Sequence, residues 1–205
     1  MVVTIDGPAA SGKSSVAKGV AKALDIAFIS SGLFYRAATY TALTRQWALG
    51  NDSICAALKQ VDINLVPQGR ENQMWLGEED ISEKLHSDLI DANVSLVAAK
   101  PCVRAWVYEC LKQVEGSFVI EGRDMGTVVF PGAAYKFYLT ARAPIRAQRR
   151  LSERNSNLQE LTKAIQERDA KDAKQLTPSP EAIHIDSSDM TLQEVIDHIL
   201  RFIQA

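Results

Sequence analysis

The sequence predicts an α/β fold: a five-stranded parallel sheet flanked by helices, carrying a β-hairpin insertion. Three observations carry this expectation. Short apolar runs alternate with amphipathic helical stretches through most of the 205 residues, the pattern of strand–helix units on a parallel sheet. The first run leads straight into a glycine loop and a helix. One stretch alone breaks the rhythm, with period-two alternation around a polar turn.

The elements follow in order. Val2–Ile5 reads as a buried strand, and Val16, Val20 and Leu24 recur at helical spacing after it. Ile26–Ile29 is a second strand, followed by a helix over Leu33–Trp47. Val61–Leu65 alternates, turns through Gln68-Gly69-Arg70-Glu71-Asn72 and returns as Met74-Trp75-Leu76, a hairpin within about residues 60–85. Pro101–Val114 opens with proline in its first turn and aligns Val103, Trp106, Val107, Cys110, Leu111 and Val114. Phe118–Ile120, Lys136–Leu139 and Ala182–Ile185 complete the strands. Leu158–Arg168 and a final helix opened by the capping box Thr191-Leu192-Gln193-Glu194 complete the helices. Arg142–Lys174 is rich in charge and broken by Asn155-Ser156-Asn157.

Composition narrows the class. A 46% hydrophobic and 23% charged chain is globular and not disordered. A formal charge of −2 offers no general attraction to nucleic acid or an anionic membrane, so neither is an expected partner. No apolar run is long enough to span a bilayer. With the glycine loop beginning at Gly7, no signal peptide is expected. Cys55, Cys102 and Cys110 lack metal-ligand spacing and are expected to be reduced thiols of a cytoplasmic protein. His86, His184 and His198 are scattered, with no nucleophile or metal spacing.

The chemistry starts at Gly7-Pro8-Ala9-Ala10-Ser11-Gly12-Lys13-Ser14, with Ser15 beside it: a complete G-x-x-x-x-G-K-[ST] loop between strand and helix. Its backbone N–H groups and the helix N-terminus suit a nucleoside triphosphate. Lys13 reaches the β- and γ-phosphates, and the Ser14 hydroxyl is the expected ligand for Mg²⁺. The base-reading Asn-Lys-x-Asp element of G-protein switches is absent from the chain. A compact frame with a polar insertion and a basic segment suits a kinase acting on two small substrates.

Five further stretches are informative: Val3-Thr4-Ile5-Asp6 leading into the loop, Ser31-Gly32-Leu33-Phe34-Tyr35-Arg36, Glu121-Gly122-Arg123-Asp124-Met125-Gly126-Thr127-Val128-Val129-Phe130-Pro131, Glu167-Arg168-Asp169 and Ile185-Asp186-Ser187-Ser188. With the loop, and in this order, they resemble bacterial cytidylate kinases of the P-loop nucleoside monophosphate kinase family, from residue 2 to about residue 200. The resemblance implies one kinase domain over 1–205, an acceptor-binding insertion at about 60–100 and a lid at about 149–175. It implies transfer of the ATP γ-phosphoryl group to CMP or dCMP; a monomer is expected. Arg36 and Arg123 become acceptor-phosphate ligands and, with Lys13, the catalytic set. Ser31, Tyr35 and Gly122 border the acceptor. Asp124, Arg104 and Ser95 read cytosine, Arg168 and Asp172 hold the ribose, and Arg150 touches ATP.

Plainer roles stand beside these: packing for Tyr35, a helix cap for Ser95, solvated faces for Arg36, Arg104 and Arg150, and a surface ion pair for Arg168 and Asp172. A kinase for another small acceptor such as shikimate, and a nucleotide-binding switch without transfer activity, are the competing functions. The chain departs from the family pattern at Ser30 and Glu121, where Asp is usual, and at Gln175, where a lid arginine is usual. Lys174 is the expected substitute for that arginine.

Overall fold

The computed structural model describes residues 1–49, 53–68, 71–151, 157–173 and 175–204. Lys174, Gly69, Arg70, Asn155 and Ser156 therefore lie outside the described residues. Two compact units are distinguished, Met1–Ala27 with Ser117–Ala205, and Phe28–Gly116.

All five expected strands form: β1 (Val2–Asp6), β2 (Ala27–Ser30), β6 (Phe118–Gly122), β7 (Tyr135–Thr140) and β8 (Ile183–Asp186), in the spatial order β2-β6-β1-β7-β8. β1 runs parallel to β6 and β7, and β7 runs parallel to β8. β1 is buried over Val3–Asp6 and β6 along its whole length, which is why both read as continuous apolar runs and do not alternate. In register, Asp6 faces Gly122 on one side and Tyr138 on the other. The loops that follow β1, β6, β7 and β8 thus leave the same carboxyl edge, where open parallel sheets bind ligands.

In the first unit, α1 (Lys13–Leu24) buries Val16, Ala17 and Val20, and α8 (Leu192–Gln204) buries Val195, Ile196 and Ile199. The capping box forms: the Thr191 N–H donates to Glu194 Oε2 at 2.7 Å, and the Glu194 N–H donates to Thr191 Oγ1 at 3.3 Å. Between β7 and β8 lie α6 (Ala143–Leu151) and α7 (Leu158–Lys171), three residues longer than its periodicity predicts. Asn157 caps α7 by accepting from the Gln159 N–H. Only Ile165 of the expected apolar stripe on α7 is buried.

The second unit holds α2 (Gly32–Thr44), α3 (Ser53–Leu58), α4 (Asp88–Ala98), α5 (Pro101–Lys112) and a three-stranded sheet. Its hairpin pairs β3 (Ile63–Gln68) with β4 (Glu71–Leu76), and Leu65 lies opposite the fully buried Met74. A two-residue strand, β5 (Glu79–Asp80), extends the hairpin beyond its sequence signal. Asn72 joins the hairpin to β2: its Oδ1 accepts from the Ser30 N–H at 2.8 Å, and its Nδ2 donates to the Phe28 carbonyl. α5 buries Val103, Val107 and Leu111, while Trp106, Cys110 and Val114 are half-buried. Trp106 meets the Phe34 ring edge-on at 6.3 Å.

The cysteines differ from expectation. Cys55 of α3 and Cys102 of α5 form a disulfide across a Cα–Cα separation of 5.8 Å, and only Cys110 is a free thiol among the described residues. The pairing depends on α3 packing against α5, a contact that the 47-residue spacing in sequence does not reveal. Burial pushes the Cys110 thiol up to about 11, so it stays protonated at neutral pH.

Candidate active site

The phosphate loop turns directly off β1. At Gly7, φ is +150° and a Cβ would stand 2.1 Å from the Leu139 carbonyl oxygen, so only glycine lets the chain cross β7 this closely. Lys13 opens α1, is buried, and donates from Nζ to the Pro8 carbonyl at 2.8 Å. Burial, with Arg123 nearby, lowers its pKa to about 7. A desolvated ammonium resting on a neutral carbonyl is electrostatically set to receive an anion. The buried Ser11 hydroxyl has no partner among the described residues, which leaves a polar group available in the same cradle.

A cleft of about 580 Å³ opens at this loop. Ala10, Ser11, Gly12, Lys13, Ser14 and Ser15 line it, with Arg149 and Arg150 of α6 on one side. Met190, Leu192 and Val195 form an apolar wall. Sequence reading found the loop and Arg150 but missed this wall. The Thr191–Glu194 cap was its only signal, since it places Leu192 at the start of a helix beside the cleft.

β6 delivers the second group of residues. Past Gly122, Arg123 donates from Nη1 to the Gly7 carbonyl at 3.2 Å and from Nε to Asp172 Oδ2 at 3.1 Å. Asp172 caps α7 and lies 3.8 Å from Arg168 Nε, so the expected Arg168–Asp172 pair also takes in Arg123. The chain then makes one wide helical turn over Met125–Val129, where the Phe130 N–H reaches back to the Met125 carbonyl. Such i→i+5 turns concentrate at functional sites. Asp124 is buried at the head of this turn, and Glu121 is buried in β6.

Asp6 holds that turn, a role that the sequence reading did not assign to it. Its carboxylate accepts from the Met125 N–H at 2.9 Å and the Gly126 N–H at 2.7 Å. A Cβ on Gly126 would stand 2.6 Å from Thr4 Oγ1, so this approach requires glycine. Burial raises Asp6 to about 6 despite these two donors. Beyond α7, the Tyr138 hydroxyl donates to the Leu176 carbonyl at 2.8 Å, which ties the segment after Gln175 to β7.

The second unit orders its own candidates. Ser31 is buried at the N-terminus of α2. Arg36 donates to the Leu85 carbonyl at 2.8 Å and to Asp91 Oδ1 at 2.6 Å. The guanidinium of Arg104 lies 5.6 Å from the Tyr35 ring centroid and 5.4 Å from that of Tyr108, and it donates twice to the Tyr108 hydroxyl. Ser95 is half-buried on α4 and Tyr35 is buried on α2. Asp91 and Tyr108, which orient these two arginines, gave no recognisable signal in the sequence.

A phosphate loop on this sheet, with arginines gathered at its carboxyl edge, defines a P-loop kinase. Residues 3–205 match the cytidylate kinase family. A cytidylate kinase from Deinococcus radiodurans is 50% identical over 201 residues, covering 98% of each chain. One from Thermus thermophilus is 46% identical over 204 residues, covering 99% of this chain and 98% of its own. Among solved structures, a shikimate kinase from Bacteroides thetaiotaomicron aligns over 100% of this chain and 99% of its own, with a TM-score of 0.51 at 12% identity. That likeness is one of fold alone. The chain belongs to the cytidylate kinase family.

Proposed function

We propose that this protein transfers the γ-phosphoryl group of ATP to CMP or dCMP, giving ADP and CDP or dCDP. Beyond family membership, one observation carries the reading. Arg123, the acceptor-side arginine, touches the carbonyl of Gly7 in the donor loop. Phosphoryl transfer needs that kind of fixed positive charge between two polyanions more than it needs a chemical base.

In this reading the loop N–H groups and Lys13 hold the ATP phosphates, Arg149 and Arg150 flank them, and the adenine lies on Met190, Leu192 and Val195. Arg36 and Arg123 hold the acceptor phosphate. Asp124 accepts from the cytosine amino group, Arg104 and Ser95 donate to its ring acceptors, and Arg168 and Asp172 serve the ribose. Ser31, Tyr35 and Gly122 border the acceptor. The acceptor-binding segment at about 60–100 and the lid at about 149–175 are part of the same proposal.

Mg²⁺ fits the donor set. The described residues contain no carboxylate cluster able to cage a cation, and Mg²⁺ commonly binds through substrate phosphates, waters and a few protein oxygens. Ser14, exposed in the first turn of α1 and lining the cleft, supplies such an oxygen. When bound, the ion neutralises charge on the phosphates. The protein is read as a cytoplasmic monomer, because its substrates are metabolic nucleotides and one chain supplies every proposed ligand. No described helix is long and apolar enough to cross a membrane.

An ADP-release assay with CMP, dCMP, UMP, AMP and shikimate tests the function. CMP and dCMP should support turnover far above the others. A buried carboxylate reader rejects an acceptor with reversed polarity by up to ~10⁴-fold. Equal kcat/KM for UMP, or nucleotide binding without ADP release on adding CMP, would overturn the assignment.

A further inference from the structure

Arg146 of α6 is 5% exposed, and unlike Arg149 and Arg150 it is not among the residues lining the nucleotide cleft. Four of its five N–H donors are instead taken up by protein groups. Nε donates to the Ala141 carbonyl at 2.8 Å. Nη1 and Nη2 fork onto the two carboxylate oxygens of Asp169 on α7, at 3.1 and 2.5 Å. Nη1 also donates to the carbonyl of Ala9, inside the phosphate loop, at 2.9 Å. Such planar, two-pronged pairing fixes the group's orientation, which a lysine cannot reproduce.

The grip on Ala9 has a directional consequence. Every described peptide bond is trans, so the C=O of Ala9 and the N–H of Ala10 point in opposite directions across one rigid plane. Ala10 follows at φ +58°, the left-handed region that a non-glycine residue adopts only when its surroundings hold it there. Arg149, one helical turn further along α6, does the same for the next alternate peptide. Its Nη1 donates to the Ser11 carbonyl at 3.3 Å, setting the Gly12 N–H.

We propose that Arg146 is a positioning residue for the phosphate loop: its hold on the Ala9 carbonyl aims the Ala10 N–H at the bound phosphates, and Asp169 fixes the guanidinium that does so. The inference rests on the reading of this loop as the nucleotide-phosphate site. It makes α7 a brace for the loop's anion-binding geometry, so Asp169 acts on ATP without touching it.

Calorimetric binding of ADP and of adenosine to the full-length protein, without CMP, tests this in Arg146→Lys, Arg146→Met and Asp169→Asn. Arg146→Lys keeps the charge but not the fork. It should weaken ADP about tenfold, the scale of one lost charge-assisted hydrogen bond, and leave adenosine and the KM for CMP unchanged. Asp169→Asn should weaken ADP about threefold, with the same selectivity. A residue that only supports folding would move ADP and adenosine together, or lower the melting temperature with ADP affinity intact. Either result would overturn the proposal, as would unchanged ADP binding in a folded Arg146→Lys. Should Arg146→Met fail to fold, Arg146→Lys and Asp169→Asn still decide the matter. Failure of the wild type to bind ADP would instead overturn the reading of the loop, and this inference with it.

Discussion

Lys13 and Arg36 satisfy the same kind of charge in opposite ways. Lys13 rests on a neutral backbone carbonyl, is desolvated, and has its pKa lowered to about 7. Arg36 is met by the Asp91 carboxylate and the Leu85 carbonyl. The carboxylates of Glu121 and Asp6 offset part of this, but burial outweighs them, so Lys13 gains from an incoming anion. The α2 arginine is already balanced, and what its neighbours provide is direction. The bracing differs too: hydrogen bonds from Arg123, Lys13, Arg146 and Arg149 hold the carbonyls of the loop, whereas a disulfide joins α3 to α5 in the second unit.

Lys13→Met should break this comparison most severely. If Lys13 neutralises the transferring phosphoryl group, its loss should lower kcat/KM for ATP by about 10³-fold in steady-state kinetics. A loss below tenfold would mean that Arg123, Arg149 and Arg150 already supply enough charge. The covalent brace comes next. Cys55→Ser with Cys102→Ser should reduce unfolding free energy by about 2–4 kcal/mol, read by denaturant titration, without changing ADP affinity. Thiol titration of the unfolded, unreduced wild type should find Cys110 alone.

Asp91→Ala sharpens the contrast further. If Asp91 directs Arg36, KM for CMP should rise about tenfold while KM for ATP stays constant. A fall in KM for CMP would show that Asp91 competes with the acceptor phosphate. The smallest effect is protonic. If the phosphates bind beside Lys13 they should raise its lowered pKa, so ADP binding should take up protons once pH exceeds 7, approaching about one proton near pH 8. Affinity should therefore fall as pH rises above 7 and level off below it. Calorimetry in two buffers of different ionisation enthalpy measures the uptake, and none at pH 8 would contradict the sign.

The strands were legible because β1 and β6 are buried on both faces and leave unbroken apolar runs, and the hairpin because Val61–Leu65 alternates. α3, α4 and α6 were not read as helices. α4 presents Leu89 and Leu96 to solvent, which blurs its periodicity, and α6 looks like a charged segment until Arg146 is seen to be buried. β5 is two acidic residues and carries no pattern at all. In the site, the loop, Arg36, Arg104, Arg123, Asp124, Arg168 and Asp172 were named from motifs. Of their holders, Asp6 and Asp169 lay inside quoted motifs without a role of their own, Arg146 was read only with the basic segment, and Asp91 and Tyr108 were not named.

By itself, then, the sequence determined the sheet, the phosphate loop and the family, since each is written in local spacing and burial pattern. Only the tertiary structure decided how the charges are held. Asp6 meets Gly126 across 120 residues, Arg146 meets Ala9 across 137, and Cys55 meets Cys102 across 47. Those pairings arise when packed elements place distant side chains within hydrogen-bond or covalent reach, and no local period in the chain encodes that distance.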